Sequence, residues 1–423
     1  MGERRRVLLS AYACEPGRGS EPEVGWRWAT ELARYHDITV VTRANNRIPI
    51  ESALLELPPP HPQFLFFDPP GPWVRWKARG LPVALFYAIW QWSVRKYLRA
   101  RLRTFDLVHH LTFNSFRQPG YWWDPIPPVV LGPLGGGQIC PWPFLWHFGS
   151  RVVPELLRSL TVISAPVLPH LHQSFRAAAR ILVANADTAR RIPARYRDKA
   201  RSLLETGVMP DQVLPPRPAR TDHGVRVLWL SRMEKIKAGT LAVAAYARAL
   251  RAEPRLRLSM AGDGPDGGAV KATAVRLGVA SAIDWHGRVP REMLLSLFAA
   301  HDIFLFTSLR DTSGNALLEA MAAGLPAISL LHHGQAEIAT DETAIRVPPI
   351  HPQQTIQALA DALVRLARDP ELRRRMGEAA RQRVLDLYIW PRKAQMMNQI
   401  YEEVWAETGF RAAPVHANTE SAV

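Results

Sequence analysis

Short hydrophobic runs alternate with longer amphipathic stretches along the first half of the chain. The runs predict buried strands over residues 7–12, 38–42, 64–67, 107–111, 129–131 and 181–184. Helices are predicted between them, one over residues 24–35 and another opening at Asp187-Thr188. The glycine-rich stretch 132–137 predicts a permissive loop. Such alternation is typical of a mostly parallel sheet covered by helices.

A proline-rich break interrupts this pattern at residues 208–224, where Pro210, Pro215, Pro216 and Pro218 predict a linker. The alternation then restarts. Strands are predicted over residues 225–230, 256–260, 283–285, 303–306 and 327–330, with helices over 239–250 and 315–323. We therefore expect an α/β protein made of two Rossmann-like, doubly wound parallel-sheet domains that face each other across a cleft.

The length of 423 residues suits two such domains better than one. The predicted boundaries are an N-terminal, acceptor-binding domain over residues 1–207, the linker 208–224 and a C-terminal, nucleotide-sugar-binding domain over 225–388. Residues 389–410 are expected to form a helix that packs back on the N-terminal domain, and residues 411–423 to be disordered.

The composition restricts the class of partner and the compartment. Lys plus Arg number 53 against 38 Asp plus Glu, a formal charge of +15, which favours nucleic acid, an anionic membrane or phosphate-bearing small molecules. Cys14 and Cys140 are the only cysteines, too few for a disulfide framework or structural zinc, so a cytoplasmic location is expected. The apolar run 7–9 is too short for a signal peptide, and the run 81–92 is too short to span a bilayer.

Two cations follow the first predicted strand of the second domain. Arg232 and Lys237 lie in the loop after residues 225–230, and ligands of doubly wound sheets bind beyond the carboxyl ends of the strands. Arginine forks and the compact lysine charge suit a diphosphate. A solvated basic loop is the alternative in so basic a chain.

A nearly all-apolar helix is predicted after the strand 303–306. Its start at Ser313-Gly314-Asn315 offers free N–H groups to an anion. Glu319 lies inside the helix, where a carboxylate needs partners, so it is a candidate to accept hydrogen bonds from ligand hydroxyls. A glutamate on the helix surface is the alternative.

Together these segments resemble the retaining glycosyltransferases of family 4, which have the two-domain GT-B fold. The family pattern Gly-Arg-Leu-x-x-x-Lys-Gly is matched by Ser231-Arg232-Met233 through Lys237-Ala238, with both glycines and the leucine replaced. The family's two glutamates, eight positions apart, fall on Asp311 and Glu319. The stretch 320–326 follows the pattern Ala-Met-Ala-x-Gly-x-Pro, and 260–265 resembles the family's Gly-x-Gly-Pro turn.

The resemblance implies a role for each matching residue. Arg232 and Lys237 would hold the donor diphosphate and offset the charge that develops on the leaving group. Glu319 would bind ribose hydroxyls, and Asp311 would bind hydroxyls of the donor sugar, one methylene short of the usual glutamate. The implied donor site also includes the residues listed here: Gly262, Gly264, Arg288, Ser313, Gly314 and Asn315. No metal and no cofactor beyond the nucleotide-diphosphate sugar co-substrate are expected.

The resemblance also implies a histidine near the donor sugar, after a strand of the first domain. His109 and His110 both fit that place, with His110 favoured because it is nearer the strand end. Two strand histidines, one in the core and one against a neighbouring helix, are the alternative. On the acceptor side we expect two glycine-bearing turns to shape the site, at Gly19-Ser20 and at Gly136-Gly137.

A basic, tryptophan-rich segment occupies residues 73–103, and no acidic residue occurs from 69 to 105. One helical stripe in it collects the apolar side chains Phe86, Trp90, Val94, Tyr97, Leu98 and Leu102. Such a helix suits the surface of an anionic membrane, which would place the protein peripherally on the inner face. A helix that covers the sheet and carries basic outer residues is the alternative.

The expected function is therefore transfer of a sugar from a nucleotide sugar to a glycan or polyprenyl-linked acceptor, in surface polysaccharide or glycolipid synthesis. Gly262-x-Gly264-x-x-Gly267 also matches a dinucleotide fingerprint, so an NAD(P)-dependent oxidoreductase is one alternative, although Pro265 lacks an N–H for a pyrophosphate. A basic nucleic-acid-binding protein is another, without a recognisable motif to support specific binding. An inactive transferase is the third, given Asp311 and the altered Arg232 loop.

Overall fold

The computed structural model describes residues 3–124, 126–216 and 224–412. Within these ranges the chain forms two compact units. Unit 1 consists of the residues up to Gly137, Ile163–Glu205 and the residues from Trp390 onward, and unit 2 consists of Gln138–Val162 and Thr206–Ile389.

Each unit contains one parallel sheet. The strands of unit 1 are β1 Arg6–Ala11, β2 Asp37–Thr42, β3 Gln63–Phe66, β4 Leu107–Thr112, β5 Val129–Leu134, β6 Ala178–Val183 and β7 Ala200–Ser202. Those of unit 2 are β8 Val225–Leu230, β9 Leu256–Ala261, β10 Ile283–Gly287, β11 Ile303–Phe306, β12 Ala327–Leu330 and β13 Ala344–Val347.

The α-helices of the described ranges follow most of the strands. In chain order they are α1 Ser20–Leu32, α2 Arg47–Glu56, α3 Trp73–Ala78, α4 Val83–Leu98, α5 Val152–Ser164, α6 Pro169–Ala177, α7 Ala186–Arg191, α8 Gly239–Ala252, α9 Gly267–Arg276, α10 Leu294–Ala299, α11 Asn315–Ala322, α12 His333–Ile338, α13 Pro352–Arg368, α14 Pro370–Leu387 and α15 Trp390–Thr408.

Both sheets reverse their strand order in the middle. The order is β3-β2-β1-β4-β5-β6-β7 in unit 1 and β10-β9-β8-β11-β12-β13 in unit 2, with parallel pairing throughout. Helices on both faces bury the strands, which explains their continuous apolar runs. The reversal falls between β1 and β4 in unit 1 and between β8 and β11 in unit 2, and ligands bind at such points. The predicted pair of doubly wound parallel-sheet domains is confirmed.

The described strands differ from the predicted ones mainly at sheet edges and at one glycine. Strands β7 and β13 were not predicted, because they are short and only partly buried. Strand β5 continues to Leu134, through residues that predicted a loop. Gly132 permits this, since it has a φ of 102° and a Cβ there would lie 2.3 Å from the carbonyl oxygen of Leu182.

The segment Gln138–Val162 belongs to unit 2, which corrects the predicted N-terminal boundary of 1–207. Cys140, Phe144 and Phe148 are buried in the hydrophobic core of unit 2, so the apolar side chains of this segment hold it there. Helix α15 belongs to unit 1. Its Trp390 meets Trp28 of α1 edge to face at 5.3 Å. The predicted tail beyond residue 412 and residues 217–223 of the predicted linker lie outside the described ranges.

The apolar stripe predicted for the 73–103 segment faces the protein interior. Phe86, Trp90, Val94 and Leu98 are fully buried and Leu102 is nearly so, whereas Tyr97 is half exposed. This burial agrees with the alternative of a helix that covers the sheet, and membrane contact through residues 73–103 stays a prediction. The exposed basic side chains of the segment include Arg75, Arg79, Arg99, Arg101 and Arg103.

Candidate functional site

The loop after β8 carries the two predicted cations in different surroundings. Arg232 is 78% exposed and pairs with Glu234 at 2.6 Å. Residues Lys235–Lys237 form a 3₁₀ turn that ends at Ala238, where φ is 50° and ψ is 48°. This left-handed conformation lets α8 begin at Gly239, and it favours glycine, the residue of the family pattern.

Lys237 is bound to Asp311. The distance between Nζ and Oδ2 is 2.5 Å, and both side chains are less than one-fifth exposed. The backbones around them are also joined, because Thr307 donates from Oγ1 to the carbonyl of Lys237 at 2.9 Å and Leu309 donates from its N–H to Ile236 at 2.7 Å. The loops after β8 and β11 therefore form one surface at the point where the strand order reverses.

Two glycines of the 260–265 turn are required for close backbone approach. A Cβ on Gly262 would lie 1.9 Å from the carbonyl oxygen of Ser231, and φ is 124°. At Gly264 a Cβ would lie 2.6 Å from the carbonyl oxygen of Met233. The N–H of Met233 in turn donates to Asp263 at 3.0 Å. Both glycines therefore shape the backbone on either side of Arg232.

Helix α11 begins at this same edge of the sheet. Its N-cap Gly314 has a φ of 85° and, as a glycine, gives the first N–H groups of the helix no capping side chain. Ser313 instead donates from Oγ to Oδ1 of Asn315 at 3.1 Å. The helix thus offers an anion-binding end beside Asp311.

Glu319 lies on α11 with a carboxyl group that is largely withdrawn from water. Burial raises the pKa of Glu319 to about 6, and the nearby Arg291 lowers it in part. Ionisation of this carboxyl therefore falls close to neutral pH. Arg291, in the turn after β10, was missed by sequence reasoning because no motif marks it. The predicted donor residue Arg288 is exposed in the loop after β10, at the edge of the sheet and two strands from β8.

A cluster of charges beneath the β11 loop was also missed. Arg310, next to Asp311, donates from Nη2 to Glu155 of α5 at 3.3 Å. Arg158 also binds Glu155 at 3.2 Å and donates to the carbonyl of Gln138 at 2.6 Å. Glu155 is buried, and its two arginine partners compensate its charge. No local pattern could indicate a pair 155 residues apart in the chain.

The two predicted catalytic histidines are fully buried in β4 of unit 1. His109 lies 2.5 Å from the carbonyl of Gly132 through Nε2 and 2.6 Å from the Tyr401 hydroxyl through Nδ1. A carbonyl can only accept, so Nε2 donates and Nδ1 accepts. Burial lowers the pKa of His109 to about 4. His109 is therefore held neutral against α15.

His110 is enclosed in a different way. Its Nε2 lies 2.7 Å from the Tyr87 hydroxyl of α4, and its Nδ1 accepts from Nε1 of Trp122 at 3.3 Å. Burial lowers the pKa of His110 to about 3. These contacts agree with the packing alternative for both histidines, and a catalytic role for either one stays a prediction.

The predicted acceptor-side residues lie at carboxyl ends of strands in unit 1. Gly19 and Ser20 follow β1 with φ of 71° and 52°, and Gly136 follows β5 with φ of 83°. A Cβ on Gly137 would meet the backbone of Thr188 at 2.6 Å. A neighbour not predicted is Glu21, which accepts from the N–H of Asn114 at 2.5 Å. Burial raises the pKa of Glu21 to about 7.

The alternative of a dinucleotide-binding enzyme is weakened by the topology. The Gly262-x-Gly264-x-x-Gly267 motif follows β9, whereas a dinucleotide fingerprint follows the central strand at the reversal, which here is β8. In residues 3–124, 126–216 and 224–412 there is no group of three or more His, Cys, Asp or Glu side chains placed to hold a metal ion.

The helices of the described ranges differ in length and in apolar character. No single one is both long and apolar enough to cross a bilayer, while Trp142–Val167 taken together with Pro169–Ala177 passes as a bent pair on length and composition alone.

Comparisons with known proteins agree with the site in unit 2. The chain is 27% identical over 236 residues to D-inositol 3-phosphate glycosyltransferase of Corynebacterium jeikeium (strain K411), covering 54% of this chain and 52% of the relative. The chain spans about half or less of the length of the curated relatives that it matches.

Solved structures share the fold over nearly the whole chain. Sucrose-phosphate synthase from Thermosynechococcus elongatus superposes with a TM-score of 0.63 at 18% identity, covering 96% of this chain and 100% of that one. Anabaena HepE, solved in complex with UDP and glucose, superposes with a TM-score of 0.60 at 14% identity, covering 95% and 100%. The expected GT-B fold, with two Rossmann-like domains, is thereby confirmed.

A family model covers the site itself. Residues 216–383 match the model described as Glycosyl transferases group 1. This range contains β8, the Lys237–Asp311 pair, the glycine turn and α11. Over residues 216–383, the chain is therefore similar to the group 1 glycosyltransferases.

Proposed function

We propose that the protein is a retaining glycosyltransferase of family 4 that takes its sugar from a nucleoside-diphosphate sugar. The observation that carries the proposal is the convergence of Arg232, Lys237, Asp311, Glu319 and the start of α11 at the reversal point of the unit 2 sheet. A diphosphate needs cations and free N–H groups, and a sugar and a ribose need carboxylate acceptors. The loops after β8 and β11 offer both kinds of group.

Each side chain has a distinct part in the proposed reaction. Arg232 and Lys237 bind the diphosphate, and their charges stabilise it more as the bond from the anomeric carbon to the phosphate oxygen breaks. The acceptor hydroxyl bonds to that carbon on the same face, and its proton passes to the departing diphosphate oxygen. Asp311 holds sugar hydroxyls and orients Lys237. Glu319, once ionised, accepts from the two ribose hydroxyls.

The proposed acceptor is a glycan or a polyprenyl-linked sugar, in surface polysaccharide or glycolipid synthesis. The sugar-transferring relative from Corynebacterium jeikeium and the UDP complex of Anabaena HepE support the general chemistry. The proposed reaction needs no metal and no further cofactor, since the basic side chains and α11 supply the positive charge at the diphosphate. The protein would act in the cytoplasm, peripherally at the inner face of the membrane.

Nucleotide-dependent thermal stabilisation tests the proposal. Purified protein is melted with UDP, GDP, ADP, NAD or NADP in the presence of EDTA, beside Arg232→Ala and a control, Arg276→Ala, whose side chain is exposed on α9. A nucleotide at about 100 times its Kd adds about 2.7 kcal/mol, which melting resolves. We expect one nucleoside diphosphate to stabilise the wild type and the control but not Arg232→Ala. Stabilisation only by NAD or NADP, or by none of the five, would refute the proposal.

The proposed retention of the anomeric configuration is tested by a separate measurement. Once the base is known, the matching nucleotide sugar is incubated with a polyprenyl-linked sugar, and the configuration of the new bond is determined by NMR spectroscopy. Retention of the anomeric configuration in EDTA is expected. Inversion, or strict dependence on an added divalent metal, would contradict the retaining, metal-independent mechanism.

A further inference from the structure

Exposed apolar side chains follow one another in a row along the sequence from Trp142 to Leu160, with a kink in the backbone at Gly149. Trp146 is 84% exposed, and each of the other members is more than half exposed. The row consists of Trp142, Trp146, Val153, Leu157 and Leu160. Exposing this much apolar surface to water is energetically unfavourable. Such a surface marks a site of contact with a membrane or with another protein.

The row is the outer side of a well-anchored segment. On its inner side, Phe144 and Phe148 are buried in the core of unit 2, and Glu155 is buried between Arg158 and Arg310. In α5 the buried positions are thus partly polar, while the exposed positions Val153, Leu157 and Leu160 are apolar. Because the inner side is firmly packed, the exposure of the outer side does not come from a loosely attached helix.

The charge around the row indicates which partner covers it. From residue 125 to residue 186 the sequence contains one carboxylate, Glu155, and that one is buried and doubly paired. Arg151 is exposed beside the row. Two copies of a chain with a net charge of +15 repel each other, whereas anionic headgroups attract such a surface. Tryptophan side chains also favour the interface between headgroups and acyl chains.

We propose that Trp142, Trp146, Val153, Leu157 and Leu160 form a docking surface for an anionic lipid bilayer. This surface is separate from the largely buried stripe of residues 86–102. The docking itself is independent of the transfer chemistry.

One consequence rests on the proposed function. Glu155, on the inner side of α5, holds Arg310, and Arg310 directly precedes Asp311 of the donor site. A bilayer bound to the outer side would therefore lie close to the loop that holds the donor sugar, separated from it by the thickness of one helix. This position suits an acceptor sugar that is carried on a lipid.

Vesicle flotation tests the docking surface. The full chain is floated with phosphatidylglycerol–phosphatidylcholine vesicles and with phosphatidylcholine alone, beside Trp146→Ser/Leu157→Gln. The matched control is Val275→Ser/Ile350→Ser, which removes two side chains of unit 2 that are 69% and 65% exposed. We expect flotation with the anionic vesicles, a fall of about tenfold or more in vesicle affinity for the row variant, and no change for the control. Unchanged melting of the row variant shows that it folds.

Several results would overturn the proposal. These are failure of the wild type to float, flotation that the row variant leaves intact, and flotation lost in Trp76→Ser/Trp92→Ser but retained in the row variant. A dimer seen by light scattering without flotation, and lost in the row variant, would assign the row to a second copy instead. Nucleotide stabilisation is measured on the same samples, so a failed donor site and a failed docking surface are told apart.

Discussion

Lys237 and Asp311 form an ion pair with 2.5 Å between Nζ and Oδ2, although 74 positions separate them in the chain. The family resemblance implies that Lys237 contacts the diphosphate of the donor and that Asp311 contacts its sugar. Their pairing means that one cannot be altered without changing the charge environment of the other. In the proposed donor site, Lys237 would hold the carboxylate of Asp311 in place, one methylene short of the glutamate in the family pattern.

Removal of either partner of this pair should destabilise unit 2. Each of Lys237→Ala and Asp311→Ala leaves a largely buried charge alone, at a cost of about 1–3 kcal/mol, and the double variant should cost about 1 kcal/mol less than the sum. Urea unfolding of all three variants measures this coupling. The same cycle on Arg374 and Glu371, whose side chains are 61% and 64% exposed, is the control and should couple by under about 0.5 kcal/mol. Additive effects at Lys237 and Asp311 would contradict the pairing.

Glu319 should make both stability and nucleotide binding depend on pH near 6. Its pKa is raised by burial to about 6, so between the unfolded value and 6 the native state binds more protons. The contribution of Glu319 to the unfolding free energy therefore falls as pH rises through this window, by about 2 kcal/mol. Relative to Glu319→Gln, the wild type should lose stability from pH 4.5 to pH 7.

Nucleotide binding should show the opposite trend, since the ionised carboxylate is the better acceptor for ribose hydroxyls. Nucleoside diphosphate affinity of the wild type should decline below pH 6, while Glu319→Gln should bind weakly at every pH. Calorimetric titration between pH 5 and pH 8 measures both. Parallel pH profiles for the two proteins would exclude Glu319 from the ribose site.

Ala238 should tolerate glycine better than an ordinary helix-terminal alanine does. With φ of 50° it pays a left-handed cost of about 1–2 kcal/mol, which glycine avoids, offset in part by the greater freedom of glycine in the unfolded chain. We expect Ala238→Gly to keep or raise the unfolding free energy by up to about 1 kcal/mol. Ala242→Gly, at a buried position inside α8, should lose about 1 kcal/mol. Equal losses at both positions would show that Ala238 is not strained.

Gly262 should resist any larger side chain. A Cβ there would lie 1.9 Å from the carbonyl oxygen of Ser231, so Gly262→Ala must displace the backbone next to Arg232. We expect loss of nucleotide stabilisation and a lower melting temperature. Gly268→Ala is the control, because its Cβ would meet nothing within 4 Å and alanine favours the helix. Normal nucleotide binding by Gly262→Ala would show that the turn has no part in the donor site.

The strand histidines should make unit 1 sensitive to acid. The pKa values of His109 and His110 are lowered by burial to about 4 and about 3. Their contribution to stability is thus complete above pH 6.5 and is lost as pH falls towards 4, because the unfolded state binds protons that the native state does not. Denaturant unfolding from pH 7 to pH 4.5 should show a smaller pH slope for His110→Leu than for the wild type. Equal slopes would mean that His110 is charged in the native state.

The place of the candidate site in the fold could largely be predicted because it depends on local order along the chain. Parallel strands covered on both faces must be apolar throughout, so strands 225–230, 303–306 and 327–330 were predicted at their observed bounds. Polar residues just after such strands collect at one edge of the sheet. Arg232 and Lys237 were predicted in this way and Asp311 from the family resemblance, and the loops after β8 and β11 bring Lys237 to Asp311.

The same local signals could not show what covers an apolar face. The stripe 86–98 and the row 142–160 are both apolar at helical spacing, yet the first is buried and the second is exposed. Periodicity in the sequence predicts that one face of a helix is apolar. Whether that face is buried depends on which distant part of the chain packs against it.

By itself, therefore, the sequence determined the two doubly wound sheets, the edge of the second sheet that carries the site, and the residue types placed there. Only the tertiary structure decided the pairing of Lys237 with Asp311, the salt bridge between Glu155 and Arg310 and the membership of Gln138–Val162 in unit 2. The physical reason is the separation along the chain of the residues that each interaction joins. Strand and helix formation follow from neighbours a few positions apart, while ion pairing and core packing join groups that come near each other only once the sheets have assembled.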